Sequence, residues 1–462
     1  MTPTPRATET GTMSSADVRA RHKQYLFPAC TNYYEEAVVL AEGKGMRVRD
    51  LDGREYLDFF GGILTISVGH ANDEVNAAIK AQIDRLGHVS TLYPTVPIVE
   101  LAAKLASLTP GALQKCYFTA SGTEADETAV MMAQLFTGRQ EIIALRHGYS
   151  GRSMLAQSLA GQAPWRAVTS QAAAVKHALA PYCYRCPLGL KYPSCEVKCA
   201  RDIEDLIRTT TTGQPAALLA EPIQGVGGFI TPPKEYFQIA VEIVRRYGGV
   251  FICDEVQTGF GRTGGTWWGI EHWGVEPEIM TMAKGIANGL PLSATICTPA
   301  IADSLTKLTI STFGGNPVST AAANATIAVM EQRDLKANAE VQGKRLRAGL
   351  EKLQQKYPRT IGDVRGMGLM QGVELVADET RGDRTPNAKA TARLFEETKK
   401  RGLLIGKGGL YGNSLRISPP LIVTAAEVDE AIGKLDESFA AIASSTSAAV
   451  TIRGGEILRE LP

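Results

Sequence analysis

The chain has 462 residues, 44% hydrophobic and 21% charged, enough for two or three domains with a sizeable core. Its 49 basic and 48 acidic side chains leave a net charge of +1, which argues against a nucleic-acid or membrane-surface protein. No run reaches the roughly 18 to 20 apolar residues of a membrane span. The first 22 residues are polar and rich in Ser and Thr. They lack an apolar signal core, and Glu9 and Asp17 count against a mitochondrial transit segment, so a frayed terminus on a cytoplasmic protein is expected. Residues 46–62 alternate and turn at Asp52-Gly53, which predicts a β-hairpin. Residues 75–86 have helical spacing, and 96–111 form an amphipathic helix ending at Pro-Gly. Between the hairpin and the first helix, the stretch from Gly61 to Leu64 is either a simple turn or the wall of a pocket.

From residue 115 strands and helices alternate. Strands are expected at 115–120, 141–146 and 216–223, then in GGVFICDE and EIMTMAK; helices are expected at 121–138 and 232–249. Regular βα alternation implies a mostly parallel sheet covered by helices. After residue 334 a long charged helix, 335–357, leads into short strands near GLMQGVEL and GLLIGK, the pattern of a separate α+β domain. The Ser/Ala-rich stretch after about residue 443 is expected to be peripheral.

Two strand ends carry the chemistry. The run GGVFIC stops at Asp254 and EIMTMA stops at Lys284. Open parallel sheets bind ligands beyond the carboxyl ends of their strands, so the two side chains are expected in one crevice. A carboxylate facing a pyridinium nitrogen and a lysine that bonds an aldehyde are the protein's side of pyridoxal phosphate (PLP) chemistry. The plainer alternatives are a strand-capping acid and a solvated lysine. Gln257, three residues past Asp254, is placed to reach the ring's phenolic oxygen.

Ser121, Gly122, Thr123 and Glu124 sit between a strand and a helix, where free N–H groups bind phosphate; they also fit an ordinary capping box. Tyr149, in a Gly-rich loop, either stacks on a flat ring or simply packs. Glu221 is a site acid or a partner for an arginine. Arg416, flanked by apolar residues, needs an anion: a substrate carboxylate or a structural acid. Cys183, Cys186, Cys195 and Cys199 have zinc-like spacing inside a Pro- and Tyr-rich insertion, but reduced thiols or disulfides fit as well. The other four of the eight cysteines are scattered, as in a reducing compartment.

Taken together, DLDGREYLDF, SGTEADETA, EPIQGVGG, FICDEVQTGFGRTG, MAKGIANGLPL, TFGGNP, DVRGMGLMQGVEL and LRISPPL resemble the class III aminotransferases, PLP enzymes of fold type I. The Cys-rich insertion and GKGGLYGNSLRISPPL are most similar to the alanine–glyoxylate aminotransferase 2-like branch. The resemblance implies a large, mostly parallel α/β domain over 91–334 and a smaller α+β domain built from both termini, 1–90 and 335–462. It implies that Lys284 bonds the cofactor, Asp254 faces the ring nitrogen and Gln257 the ring oxygen. Ser121, Gly122 and Thr123 would hold the phosphate, and Tyr149 would stack on the ring. Glu221 would lie near the amino-group side, and Arg416 would bind the substrate carboxylate. Thr312 would reach the cofactor phosphate of a partner subunit, making the active site part of a homodimer or tetramer interface. The implied activity moves an amino group from an amino acid or amine to a small 2-oxo acid such as pyruvate or glyoxylate. The rival on the same scaffold is a phospho-lyase acting on a phosphorylated amino alcohol. One departure is visible: Ser150 stands where many relatives have the histidine of Tyr-His-Gly.

Overall fold

The computed structural model describes residues 13–451 apart from 31, 169–171 and 173. Its centre is a seven-stranded sheet. In chain order the strands are β1 (Lys115–Thr119), β2 (Ile142–Leu145), β3 (Val175–Ala178), β4 (Ala217–Ala220), β5 (Val250–Asp254), β6 (Ile279–Met282) and β7 (Ser293–Cys297). In space they run β1-β7-β6-β5-β4-β2-β3. β7 alone runs against the other six strands. Every residue of β2, β4, β5, β6 and β7 is buried, the mark of strands covered on both faces.

The sequence predicted neither β3 nor β7. In β7 the cause is chemical, because Ser293 and Thr295 disguise a buried strand. Their hydroxyls donate to the carbonyls of Ser121 and Ala125, both at 2.8 Å, and so tie β7 to the helix Gly122–Thr137. That helix follows β1 directly and ends at Gly138 in the left-handed conformation. The helix predicted over 232–249 is shorter, Tyr236–Arg246. Its prolines stay in the preceding loop, where the Pro233 carbonyl accepts the Trp273 indole N–H at 2.9 Å.

The hairpin forms as Arg47–Asp50 and Glu55–Asp58, with an additional strand, Leu40–Lys44, on its outer side. Leu403–Leu404 pairs parallel to Glu55–Asp58, so the two ends of the chain share one sheet. A further sheet joins Ile361–Met367, Met370–Asp378, Ser414–Ile417 and Gly406–Gly408. Arg416 therefore lies on a strand paired on both sides.

One expectation at the ends is corrected. Residues Ser15–Tyr25 are helical, not frayed, because Ser14 and Asp17 form a reciprocal capping box. The last helix, Ala425–Thr451, continues past residue 443. Residues 1–12 and 452–462 lie outside the described residues. Among the described residues, no helix is long and apolar enough to cross a membrane.

Candidate active site

Parallel register brings the two strand ends together. Asp254, last in β5, is the partner of Thr281 in β6, and Lys284 follows three residues later. Lys284 has φ 43°, a left-handed conformation that is strained for a side-chain-bearing residue and is typical of functional turns. Asp254 is 3% exposed, and its Oδ1 accepts the Val256 N–H at 3.0 Å.

Three loops at the same edge of the sheet complete a cavity of about 190 Å³. It is lined by Gly122, Thr123 and Asp126 beyond β1, by Tyr149, Ser150 and Gly151 beyond β2, and by Glu221 beyond β4. Val256 and Gln257 close it beside Asp254 and Lys284. The loops press on one another closely. A Cβ on Gly151 would fall 2.2 Å from the Thr123 hydroxyl, and one on Gly225 the same distance from the Gln257 amide. Glu221 ties two loops together by accepting the N–H groups of Tyr149 at 3.0 Å and Gly225 at 2.8 Å. Trp165 meets the Tyr149 ring edge-on at 5.2 Å.

The electrostatics are unbalanced: three acids, Asp126, Glu221 and Asp254, face one amine. Burial, then the Asp254 charge, pushes Glu221 up to about 8 against its two N–H donors. Burial pushes Asp254 up to about 6, although the Val256 N–H and the Lys284 charge pull it back. Burial lowers the Lys284 amine from its ordinary value while Asp254 and Glu221 hold it up. A lysine shifted this way is more often the free, nucleophilic amine at neutral pH.

Of the residues singled out in the sequence, Gly122, Thr123, Tyr149, Glu221, Asp254, Gln257 and Lys284 line the cavity. Ser121 does not. It is exposed and caps the helix, taking the Glu124 N–H at 3.4 Å and donating to the Glu124 carboxylate at 3.0 Å, so the helix-capping alternative accounts for its side-chain contacts, although that carboxylate takes the N–H of Ala120 and the reciprocal half of a capping box is not made. Thr312 is exposed and outside the cavity. Arg416 is 4% exposed and also outside the lining. Its guanidinium lies 4.9 Å from the Phe60 ring, its Nε donates to the Lys407 carbonyl at 3.0 Å, and its Nη1 has no partner. No acid pairs with it, so the structural-salt-bridge alternative has no support among the described residues.

Asp126 was missed. Its signal was its position four residues after Gly122, on the same helix face. The four clustered cysteines surround a small apolar cavity and are free thiols. Among the described residues, no group of three or more His, Cys, Asp or Glu could hold a metal ion.

The cavity fits PLP on its own features. The buried Gln257 Oε1 has no partner, and Gly122 leaves room at the helix N-terminus where a Cβ would meet Val256 at 3.1 Å. An anion suits that N-terminus, and a protonated ring nitrogen suits Asp254.

The family model described as Aminotransferase class-III matches residues 30–439. A relative from Arabidopsis thaliana, alanine–glyoxylate aminotransferase 2 homolog 2, mitochondrial, is 43% identical over 92% of this chain and 88% of its own. A solved (S)-enantioselective omega-transaminase from Thermomicrobium roseum superposes with TM-score 0.87 at 33% identity, covering 94% of this chain and 100% of its own. A phospholyase from Arthrobacter in complex with phosphoethanolamine superposes with TM-score 0.84 at 32% identity, over 92% and 99%.

Proposed function

The chain belongs to the class III aminotransferase family and is a PLP-dependent enzyme, and we propose that it passes the amino group of an amino acid or amine to pyruvate or glyoxylate. The observation that carries this reading is the convergence of Asp254 and Lys284 from adjacent strands on one cavity. When bound, PLP supplies a ring that withdraws electrons from the substrate carbon bearing nitrogen. The chain's residues do the rest. Lys284 would bond the cofactor and would move the proton at that carbon, a role suited to an amine shifted down by burial. Asp254 would keep the ring nitrogen protonated. The N–H groups at the start of helix Gly122–Thr137 and the Thr123 hydroxyl hold the phosphate. Tyr149 would cover the ring, and Gln257, whose Oε1 has no partner, would meet its oxygen. Arg416, with a free Nη1, receives the substrate carboxylate.

Loading with PLP, borohydride reduction and peptide mapping test the site. The label is expected on Lys284; a label elsewhere defeats the assignment. A donor panel against pyruvate and glyoxylate tests the substrates. The Arthrobacter neighbour favours one second reading, a phospho-lyase. Release of inorganic phosphate from phosphoethanolamine with no oxo-acid acceptor would establish that reading instead.

The proposal includes a homodimer. Supporting it are the exposed apolar side chains of Leu92, Tyr93, Leu308, Ile310 and Phe313, beside the exposed Thr312. Light scattering on the purified protein checks this. A cytoplasmic location is also proposed, in keeping with eight cysteines that are all free thiols, and cell fractionation checks it.

A further inference from the structure

Lys407 is the one side chain on the short strand Gly406–Gly408. A Cβ on Gly406 would fall 2.1 Å from the Phe60 ring, and one on Gly408 would fall 2.9 Å from Cδ of Arg416. The two glycines therefore let Phe60 and Arg416 lie against the strand and leave it a single cation. The strand is the outer edge of its sheet, paired with Ser414–Ile417 alone. It also abuts the wall of the cavity. Gly409, the next residue, donates its N–H to the Val226 carbonyl at 2.9 Å, and Val226 follows Gly225, which presses on the Gln257 amide.

Two cations meet one tyrosine here. The Tyr33 hydroxyl is 3.5 Å from Arg416 Nη2, and Lys407 Nζ is 5.9 Å from the centre of the Tyr33 ring. Register pairs Lys407 with Leu415 and Gly406 with Arg416, so the two cations leave opposite faces of the strand pair and come to Tyr33 from different sides. That separation describes two subsites, not one. Arg416 Nη1 is buried without a partner, Lys407 is half-buried, and among the described residues no acid pairs with either. Unmatched positive charge of this kind favours an anionic ligand, and a monocarboxylate on Arg416 answers only one of the two charges.

We propose that Lys407 is a specificity-determining residue that receives the second carboxylate of a dicarboxylic amino donor, while Arg416 receives the first. The inference rests on the aminotransferase reading above and names its donor class; the small 2-oxo acid acceptor then engages Arg416 alone. Lysine suits the outer group because its flexible stem carries a compact charge with three donors, which can follow a carboxylate on side chains of different length.

Two measurements test it. The amino-donor half-reaction of the PLP-loaded enzyme, followed by absorbance, gives the preference for the better of L-glutamate and L-aspartate over L-alanine. Wild type should favour the dicarboxylic donor. The ratio should fall about tenfold in Lys407→Met, the worth of a hydrogen bond to a charged group, and return in Lys407→Arg. A ratio unchanged in Lys407→Met, or an equal loss in both variants, overturns the proposal. The second measurement needs no turnover. Glutarate and butyrate lack the amino group, and their binding to the loaded enzyme is read by the same absorbance. Glutarate should bind about tenfold tighter than butyrate in wild type, with the difference lost in Lys407→Met. No difference in wild type overturns the proposal. Selective glutarate binding by an enzyme that exchanges no amino group would support the role of Lys407 and overturn the aminotransferase reading instead.

Discussion

Two clusters of buried charge can be compared: the cavity around Lys284, and the knot of side chains where the Cys-rich insertion meets the C-terminal sheet. In the knot, Glu374 is 0% exposed, yet every oxygen is answered. Arg365 donates to it at 2.6 Å, Asn413 at 3.3 Å, and Tyr182 and Arg185 reach it from the insertion. Burial pushes Glu374 upward, but Arg365, Tyr182 and Arg185 outweigh it and leave the carboxyl below its ordinary value. In the cavity, Asp254 and Glu221 are as deeply buried, and their shifts go the other way, to about 6 and about 8. Matched charge clamps two parts of the fold together. Unmatched charge waits for a ligand that brings the missing counter-charge.

The sharpest way to break the comparison is at the amine. Lys284→Ala should lower transamination about 10⁴-fold, read by single-turnover absorbance of the loaded enzyme, with the fold retained. Asp254→Asn should lower turnover about 10²-fold or more while the apo protein melts no lower than wild type, because burial opposes the lost charge and the amide oxygen can still accept the Val256 N–H. Glu374→Ala should do the reverse. It takes away the acid shared by Arg365, Arg185 and Tyr182 and leaves Arg365 only the part-exposed Asp363 as a counter-charge, so denaturant unfolding should show a loss of about 3 kcal/mol, with PLP affinity of the folded fraction little changed.

The pH dependence separates the clusters next. A buried acid raised from 4.5 to about 8, as Glu221 is, stabilises fully below its unfolded value, and that contribution is lost as pH rises through about 8. The apo protein should therefore lose stability over that window, by at most about 1.4 kcal/mol per pH unit from this group, and Glu221→Gln should flatten the slope. The smallest effect is at the surface. Arg345 pairs with Asp429, but the side chains are 48% and 56% exposed, so Arg345→Ala should shift stability by about 0–1 kcal/mol.

Much of this was legible in the chain. The acid at the end of GGVFIC and the lysine at the end of EIMTMA were readable because a buried strand shows as an apolar run and its end as the first charge. The helix after β1 was readable from Ser121 and Gly138, its cap and its stop. Strand β7 was not, because Ser293 and Thr295 look exposed until the carbonyls that bind them are known. Leu403–Leu404 gave no sign that it would pair with Glu55–Asp58, far earlier in the chain, since sheet partners are set by tertiary packing.

The order of residues by itself determined which side chains end the strands, and hence the type of chemistry the cavity can do. Tertiary structure alone decided that Asp126 would join Asp254 and Lys284 in one cavity, that Trp165 would meet the edge of Tyr149, and that Arg416 would lie against Phe60 with one nitrogen free. The physical reason is that periodicity records which face a residue occupies, whereas contacts between loops from different strands depend on how the sheet's register and the covering helices bring those faces together.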